Sequence, residues 1–245
     1  MLLSIVSGAS QSEGLRSFRE ICESSGTDKC AHTIHNDHRY YNVYPKYLEA
    51  FRTRPIKLLE IGLGCNTLTG PGKSLAMWKA YLPKAELWMA EIDVACAAKF
   101  NASVDYRILG GRQGDTATLQ SWLQISGGGF DAIIDDGSHE TVDQMASFHF
   151  LYPRALKPGG FYFIEDLQYQ RDFGGHHSAM LETLRDWMLN VTTHGYGWES
   201  NWRQKIKLAH VRAHEPKSRP PRDLLSVECF RDMCVLTKAL DGDQR

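Results

Sequence analysis

Between Ile56 and Ile164 the chain alternates short apolar runs with stretches of helical periodicity. Ile56-Lys57-Leu58-Leu59-Glu60-Ile61 is a short, mostly apolar run closed by Gly62-Leu63-Gly64, which reads as a buried strand feeding a Gly-rich turn. The pattern then predicts helices over Ser74–Tyr81, Val94–Phe100, Thr116–Ile125 and Thr141–Leu156. Strands are predicted between them, over Glu86–Ala90, Val104–Leu109, Phe130–Ile134 and Phe161–Ile164. Gly127-Gly128-Gly129 and Pro158-Gly159-Gly160 punctuate two strand starts. Such alternation implies right-handed crossovers and a parallel sheet with helices on both faces.

The two ends break this rhythm. Up to about Arg54 the chain mixes polar turns with one predicted helix, Tyr44–Phe51, whose Tyr44, Tyr47, Leu48 and Phe51 share a face. Leu224–Phe230 and Met233–Lys238 are two β-like runs separated only by Arg231-Asp232, the spacing of an antiparallel hairpin. The long stretch before them, about 167–222, has one clear helix, Met180–Leu189, and is expected to be an inserted cap beyond the carboxyl ends of the strands. The expected architecture is therefore α/β and Rossmann-like, a mostly parallel seven-stranded sheet with a C-terminal antiparallel hairpin, as in class I methyltransferases. Residues 1–54 would form an N-terminal helical or lid segment and residues 55–245 the main domain.

Composition narrows the function classes. A chain of 245 residues, 42% apolar and 23% charged, can bury one large core. Its net charge of −1 gives no electrostatic case for nucleic acid or an anionic membrane. Basic residues are densest over Arg203–Arg222, which also holds Pro216, Pro220 and Pro221 and reads as a solvated loop. The six cysteines form no CxxC pair and no regular spacing, so they are expected to be free thiols in a reducing, cytoplasmic setting. The start of the chain lacks a basic region before its short apolar run, and no segment is long and apolar enough to span a bilayer.

Two clusters carry candidate chemistry. Gly62 and Gly64 let the backbone approach a ligand, and Glu91, at the end of the next strand, stands where a carboxylate would accept ribose hydroxyls. Asp93 is the neighbouring alternative. The GxGxxG pattern is incomplete, because Thr67 occupies the third position, so a plain turn with a solvated acid is the other reading. Gly72-Lys73-Ser74 resembles the end of a P-loop, but Thr67 stands where its first Gly is required; Ser74 is read as the N-cap region of its helix. The second cluster is Asp135-Asp136-Gly137-Ser138-His139 with Glu165-Asp166. In a parallel sheet both segments end on one edge, so several carboxylates and an imidazole converge there. Massed carboxylates raise each other's pKa unless a cation neutralises them, and hard oxygen donors suit Mg²⁺, Mn²⁺ or Ca²⁺. Alone, the first segment would read as a capped turn. His139 can face the same cleft as a general base, or merely cap its helix.

From about Gly26 to Lys238 the chain resembles the metal-dependent O-methyltransferases of natural-product biosynthesis that act on deoxysugars of macrolides and related glycosides. The likeness is carried by Gly26-Thr27-Asp28-Lys29, by His38, Tyr40 and Tyr44, by Leu58 to Gly64, and by Pro71-Gly72-Lys73-Ser74-Leu75-Ala76-Met77-Trp78. Gly114-Asp115, Asp135 to His139, Pro158-Gly159-Gly160 and Ile164-Glu165-Asp166 complete it in order and spacing. The resemblance implies that Asp136, Glu165 and Asp166 hold Mg²⁺ and that His139 is the base. It places Glu60, Gly62, Gly64, Glu91 and Asp135 around S-adenosylmethionine, Asp115 near the adenine, and Lys29, His38 and Tyr40 near the methionine end or the metal face. The separate N-terminal domain of some members is missing from the likeness, and Leu167–Arg222 does not match them.

The expected activity is S-adenosylmethionine-dependent, divalent-metal-assisted methyl transfer to a hydroxyl of a small molecule: a natural product, a sugar or a diol or catechol. Family analogy adds a homodimer or larger assembly. Two alternatives use the same fold: a non-methylating S-adenosylmethionine-binding enzyme of cyclisation or rearrangement, and an NAD-dependent oxidoreductase. The second explains neither the acidic cluster nor the hairpin. Tyr169, Trp187, Tyr196, Trp198 and Trp202 would line a flat substrate wall or simply pack the cap onto the core.

Overall fold

The computed structural model describes residues 15–30, 38–68, 70–103, 107–169, 179–193 and 218–242. Its centre is a seven-stranded sheet in the order β3-β2-β1-β4-β5-β7-β6. These are β1 (Ile56–Ile61), β2 (Ala85–Glu91), β3 (Arg107–Gly110), β4 (Phe130–Asp135), β5 (Leu156–Ile164), β6 (Leu224–Phe230) and β7 (Met233–Lys238). The first five pair in parallel, and β7 is antiparallel to both β5 and β6. Strand order reverses at β1, so β1 and β4 diverge toward different crossovers and leave a crevice at their carboxyl ends.

The helices are α1 (Phe18–Ser25), α2 (Tyr44–Leu48), α3 (Lys73–Tyr81), α4 (Val94–Ser103), α5 (Thr116–Ser126), α6 (Thr141–Ala155) and α7 (Ala179–Thr193). Their apolar faces form two cores, one on each side of the sheet. Leu58, Met89, Ile134 and Phe163 face Phe18, Tyr44, Trp78 and Tyr81, whereas Leu59, Ile133, Tyr162 and Leu236 face Trp122, Phe148, Tyr152 and Trp187. Alternate strand residues thus divide between the layers, as period-two geometry requires.

The predicted strands and helices between Ile56 and Ile164 all form, within a few residues of their expected limits. The expected strand start at Val104 lies outside the described residues; Arg107–Gly110 is its described part. The last parallel strand begins at Leu156, earlier than expected, because Pro158-Gly159-Gly160 is absorbed into it where the pairing with β4 shifts register between Phe130 and Ala132. The hairpin falls on the expected residues, with Asp232 at φ 62° in its turn. Helix Tyr44–Phe51 is α-helical to Leu48 and tightens to a 3-10 turn over Glu49–Phe51.

Three expectations are corrected. The polar N-terminal stretch contains α1, started by a capping box in which Ser17 and Glu20 bond reciprocally and ended by Gly26 in the left-handed region. Ser74 caps nothing: Gly72 occupies the N-cap, and the Ser74 hydroxyl donates to Glu60 at 2.8 Å. The cysteines are not free thiols. All six pair, as Cys22–Cys30, Cys65–Cys96 and Cys229–Cys234, because the fold brings residues with no telling sequence spacing to Cα separations of 5.9, 6.2 and 4.1 Å. The compartment argument built on free thiols loses its ground with them. Among the described residues no helix is long and apolar enough to cross a membrane.

Most of the expected cap lies outside the described residues, including Tyr196, Trp198, Trp202 and residues 203–217 of the basic segment. Its one described helix, α7, packs on β6 and α6 and buries Met180, Leu184 and Trp187; the Trp187 ring lies 4.9 Å from that of Phe148. This aromatic therefore serves core packing.

Candidate active site

A cleft of about 390 Å³ opens at the carboxyl ends of β1, β2, β4 and β5. Of the residues singled out from the sequence, Gly62, Gly64, Glu91, Asp136, His139 and Asp166 line it. Thr27, Asp28, Cys65, Arg112, Gln113, Trp122 and Tyr169 also contribute to its wall.

One half is built by the ends of β1 and β2. The chain leaves β1 with the Gly62 amide still donating to Ala90 O at 2.8 Å, then turns at Gly64. Gly62 sits at φ 109°, and a Cβ there would stand 2.1 Å from the carbonyl oxygen of Asp136. Glycine at this position lets the β1 turn close on the end of β4. Glu91 is held from both sides: its Oε1 accepts the Asp93 amide at 2.9 Å and its Oε2 the Cys65 amide at 3.2 Å. Both oxygens retain capacity for a further donor from the cleft.

The other half is built by the ends of β4 and β5. Asp136, His139 and Asp166 each offer a donor atom, all within 4.8 Å of one another. His139 Nε2 lies 3.6 Å from Asp166 Oδ2. The His139 ring stacks on Tyr169, with centroids 5.2 Å apart and planes 18° from parallel. His139 and Asp166 adopt φ values of 59° and 58°; among the described residues the only other non-glycine in this region is Asp232 in the hairpin turn. Side chains with a Cβ avoid this region, so two of the three clustered donors hold strained backbone, a feature concentrated at functional sites.

Behind this rim lies a buried ion cluster. The Lys29 ammonium, 1% exposed, sits 2.6 Å from Asp136 Oδ2, 2.7 Å from Glu165 Oε2 and 2.9 Å from Glu60 Oε1. Burial by itself would lower the Lys29 pKa, but the three carboxylates outweigh it and hold it well above the ordinary lysine value. Burial pushes the Asp136 and Glu165 carboxyls up, with Lys29 opposing the rise in both. Glu60 also accepts from Trp78 Nε1 at 3.0 Å, and Glu165 accepts the Tyr44 hydroxyl. Tyr40 donates to Asp166 Oδ1 at 2.7 Å, and His38 Nδ1 lies 3.5 Å from the same oxygen. Lys29, His38, Tyr40, Glu60 and Glu165 therefore form a supporting layer beneath the cleft rather than its lining.

Two further residues are placed away from the cleft wall. Asp135 is fully buried on the opposite side of β4, held by Gln113 Nε2 at 2.9 Å, Ser147 Oγ at 2.8 Å and Tyr162 OH at 3.3 Å. Burial raises its pKa, while the donors from Gln113 and Ser147 pull it down. Asp115 is exposed and N-caps α5, accepting the amides of Ala117 and Thr118. Gln113, two residues earlier, lines the cleft instead. It donates to Asp135 and accepts the Ser138 amide at 2.9 Å, bracing the Asp135–His139 segment at two points. Nothing in the sequence marked Gln113, because an isolated glutamine after a short strand carries no periodic or motif signal.

No protein-family model matches the chain. Among curated proteins it is 34% identical over 145 residues to the L-olivosyl-oleandolide 3-O-methyltransferase of Streptomyces antibioticus, covering 58% of this chain and 36% of that protein. It is 34% identical over 132 residues to the 8-demethyl-8-alpha-L-rhamnosyl tetracenomycin-C 2'-O-methyltransferase of Streptomyces olivaceus, covering 54% and 34%. The Mycinamicin VI 2''-O-methyltransferase of Micromonospora griseorubida is 33% identical over 135 residues, covering 54% and 33%. The chain thus spans about a third of the length of these curated relatives. Among solved structures, the MycE methyltransferase in complex with Mg, SAH and Mycinamycin VI superposes with a TM-score of 0.70 at 22% identity, over 94% of this chain and 55% of that one. The sheet order and this superposition identify the class I methyltransferase fold.

Proposed function

We propose that the chain is an S-adenosylmethionine-dependent, divalent-metal-assisted O-methyltransferase acting on a hydroxyl of a small molecule. The observation that carries this reading is the convergence, in one cleft, of the Gly62–Gly64 turn with Glu91 and of the Asp136–His139–Asp166 group. The relatives named above, all named as O-methyltransferases, support the same chemistry.

The residues present fit both groups. Glycine backbone at positive φ beside a carboxylate with spare acceptor capacity suits a ribose and its adjoining chain. Two carboxylates and an imidazole, two of them on strained backbone, suit a divalent cation that prefers oxygen donors. When bound, S-adenosylmethionine supplies an electrophilic methyl on sulfur and the cation supplies Lewis acidity to the acceptor oxygen. Asp136 and Asp166 would hold the cation, with Glu165 behind them in the Lys29 cluster. His139 would take the hydroxyl proton as the new oxygen–carbon bond forms. Tyr40 fixes the Asp166 carboxylate from behind, with His38 packed beside the Tyr40 ring, and Tyr169 fixes the imidazole plane. The geometry also favours a second role for His139, as the third donor to the cation, since its nitrogen already lies within the 4.8 Å group.

Calorimetric titration with S-adenosylmethionine, S-adenosylhomocysteine and NAD⁺, each with Mg²⁺ and with EDTA, tests the reading. Binding of both adenosyl ligands and not NAD⁺ is expected; absence of adenosyl binding under either condition rejects it. His139→Ala separates the two roles of the imidazole. As a base, His139 leaves Mg²⁺ affinity intact on removal while turnover of an accepted diol falls on the order of 10²–10⁴-fold. As a ligand, its removal lowers Mg²⁺ affinity as well.

A further inference from the structure

The three disulfides occupy different settings. Cys22 and Cys30 are core residues, and Cys229–Cys234 cross-links the two strands of the β6–β7 hairpin. Cys65–Cys96 is built into the wall of the cleft: Cys65 lines it, and both residues are half-buried.

Its position couples it to the residue assigned to the ribose. Cys65 directly follows Gly64 in the turn after β1, and Cys96 lies in the first turn of α4 after β2. The Cys65 amide donates to Glu91 Oε2 at 3.2 Å, the Asp93 amide to Glu91 Oε1 at 2.9 Å, and the Cys96 amide to Asp93 Oδ1 at 2.9 Å. The sulfur–sulfur bond closes this chain of contacts into a ring around the Glu91 carboxylate. The turn beyond it is closed by the Gly72 amide, which donates to Leu63 O at 2.9 Å. Asn66, Thr67 and Leu68 are exposed, and the amide bonds from Thr67 to Gly64 and from Gly70 to Thr67 lie within the turn itself. Of the two ties from Cys65 to the β2–α4 corner, the amide bond to Glu91 is long and the disulfide is covalent.

We propose that Cys65–Cys96 is a thiol–disulfide exchange site that sets affinity for the adenosyl ligand, with the oxidised form binding tightly. This rests on the S-adenosylmethionine reading above. The co-reactant is a dithiol whose two thiols can close an intramolecular disulfide. One of its thiolates attacks a sulfur of the pair, breaking the Cys65–Cys96 bond and forming a mixed disulfide; its second thiolate then releases the cysteine. The dithiol is oxidised to a disulfide, and the pair takes up two electrons and two protons. Reduction removes the covalent tie between the turn after β1 and the first turn of α4, so the turn is ordered at the moment of binding.

The test compares S-adenosylhomocysteine affinity, by calorimetry, for oxidised protein, for dithiothreitol-treated protein and for treated protein reoxidised afterwards. Alkylation and peptide mass analysis identify the cysteines opened. The expected result is a dissociation constant raised on the order of ten-fold on reduction and restored on reoxidation. A Cys65→Ser/Cys96→Ser variant should reproduce the reduced value, and Cys229→Ser/Cys234→Ser should keep the oxidised one. Equal affinity with Cys65 and Cys96 alkylated, or failure of a dithiol to open the pair in folded protein, overturns the proposal while leaving the cofactor reading intact. No adenosyl binding in any redox state overturns both. If the double serine variant does not fold, the wild-type reduction and reoxidation series decides alone.

Discussion

Asp135 and Asp136 are adjacent in sequence and inhabit opposite environments. Strand alternation sends Asp135 to the α5–α6 side of the sheet, where its partners are neutral donors from Gln113, Ser147 and Tyr162. It sends Asp136 to the cleft side, where its partner is the ammonium of Lys29, shared with Glu60 and Glu165. A buried carboxylate can be satisfied by dipoles or by a counter-ion, and the two solutions respond differently to the loss of one part. Dipoles can be withdrawn singly at moderate cost. A shared cation cannot, since its loss strands three acids at once.

The largest expected effect therefore belongs to Lys29→Met. Removing one partner of a buried ion pair costs about 3–5 kcal/mol, and three carboxylates depend on this one cation. Chemical denaturation should show a loss at least in that range; a loss under about 1 kcal/mol would mean that the cluster is satisfied by other means.

Asp135→Asn comes next. It preserves shape but turns a donor toward Gln113 or Ser147, with an expected cost of about 1–3 kcal/mol. Its pH dependence has a definite sign. Burial raises the folded pKa of Asp135 above its unfolded value, so the stability it contributes is fully present below the unfolded pKa and is lost as pH rises through the folded one. The gap between wild type and Asp135→Asn should consequently be wider at pH 4 than at pH 7, as measured by denaturant midpoints. A gap that widens toward neutral pH would show that the donors from Gln113 and Ser147 outweigh burial.

The smallest effect is expected at Asp115, which caps α5 in full contact with solvent. The Thr118 hydroxyl and the Ala117 and Thr118 amides lower its pKa, so its contribution is present at neutral pH and lost as pH falls through and below the usual aspartate range. In thermal melts, Asp115→Ala should be less stable than wild type at pH 7 and indistinguishable from it in acid. It should leave adenosyl binding unchanged, because Asp115 does not line the cleft; weakened binding would place the residue near the adenine after all.

The same contrast shows what could be read without coordinates. The Gly62–Gly64 turn, Glu91 and the Asp136–His139–Asp166 group were legible because each lies at a strand end, and parallel topology sends those ends to one edge. The capping box Ser17-x-x-Glu20 was equally available as a signal for α1. Gln113 was not, nor was the stack of Tyr169 on His139, since neither belongs to a repeat or a motif. The disulfides were hidden for the same reason: separations of 8, 31 and 5 residues carry no pattern until the chain folds back on itself.

By itself the sequence determined the alternation of strands and helices, the closing hairpin and the edge at which the reactive side chains gather. These depend on local periodicity and on the handedness of crossovers, both written into neighbouring residues. Only the tertiary structure decided which carboxylates face the cleft and which lie beneath it, that Lys29 neutralises three of them at once, and that every cysteine has a partner. Those outcomes turn on distances between residues as many as 136 positions apart, as between Lys29 and Glu165, and packing alone sets such distances.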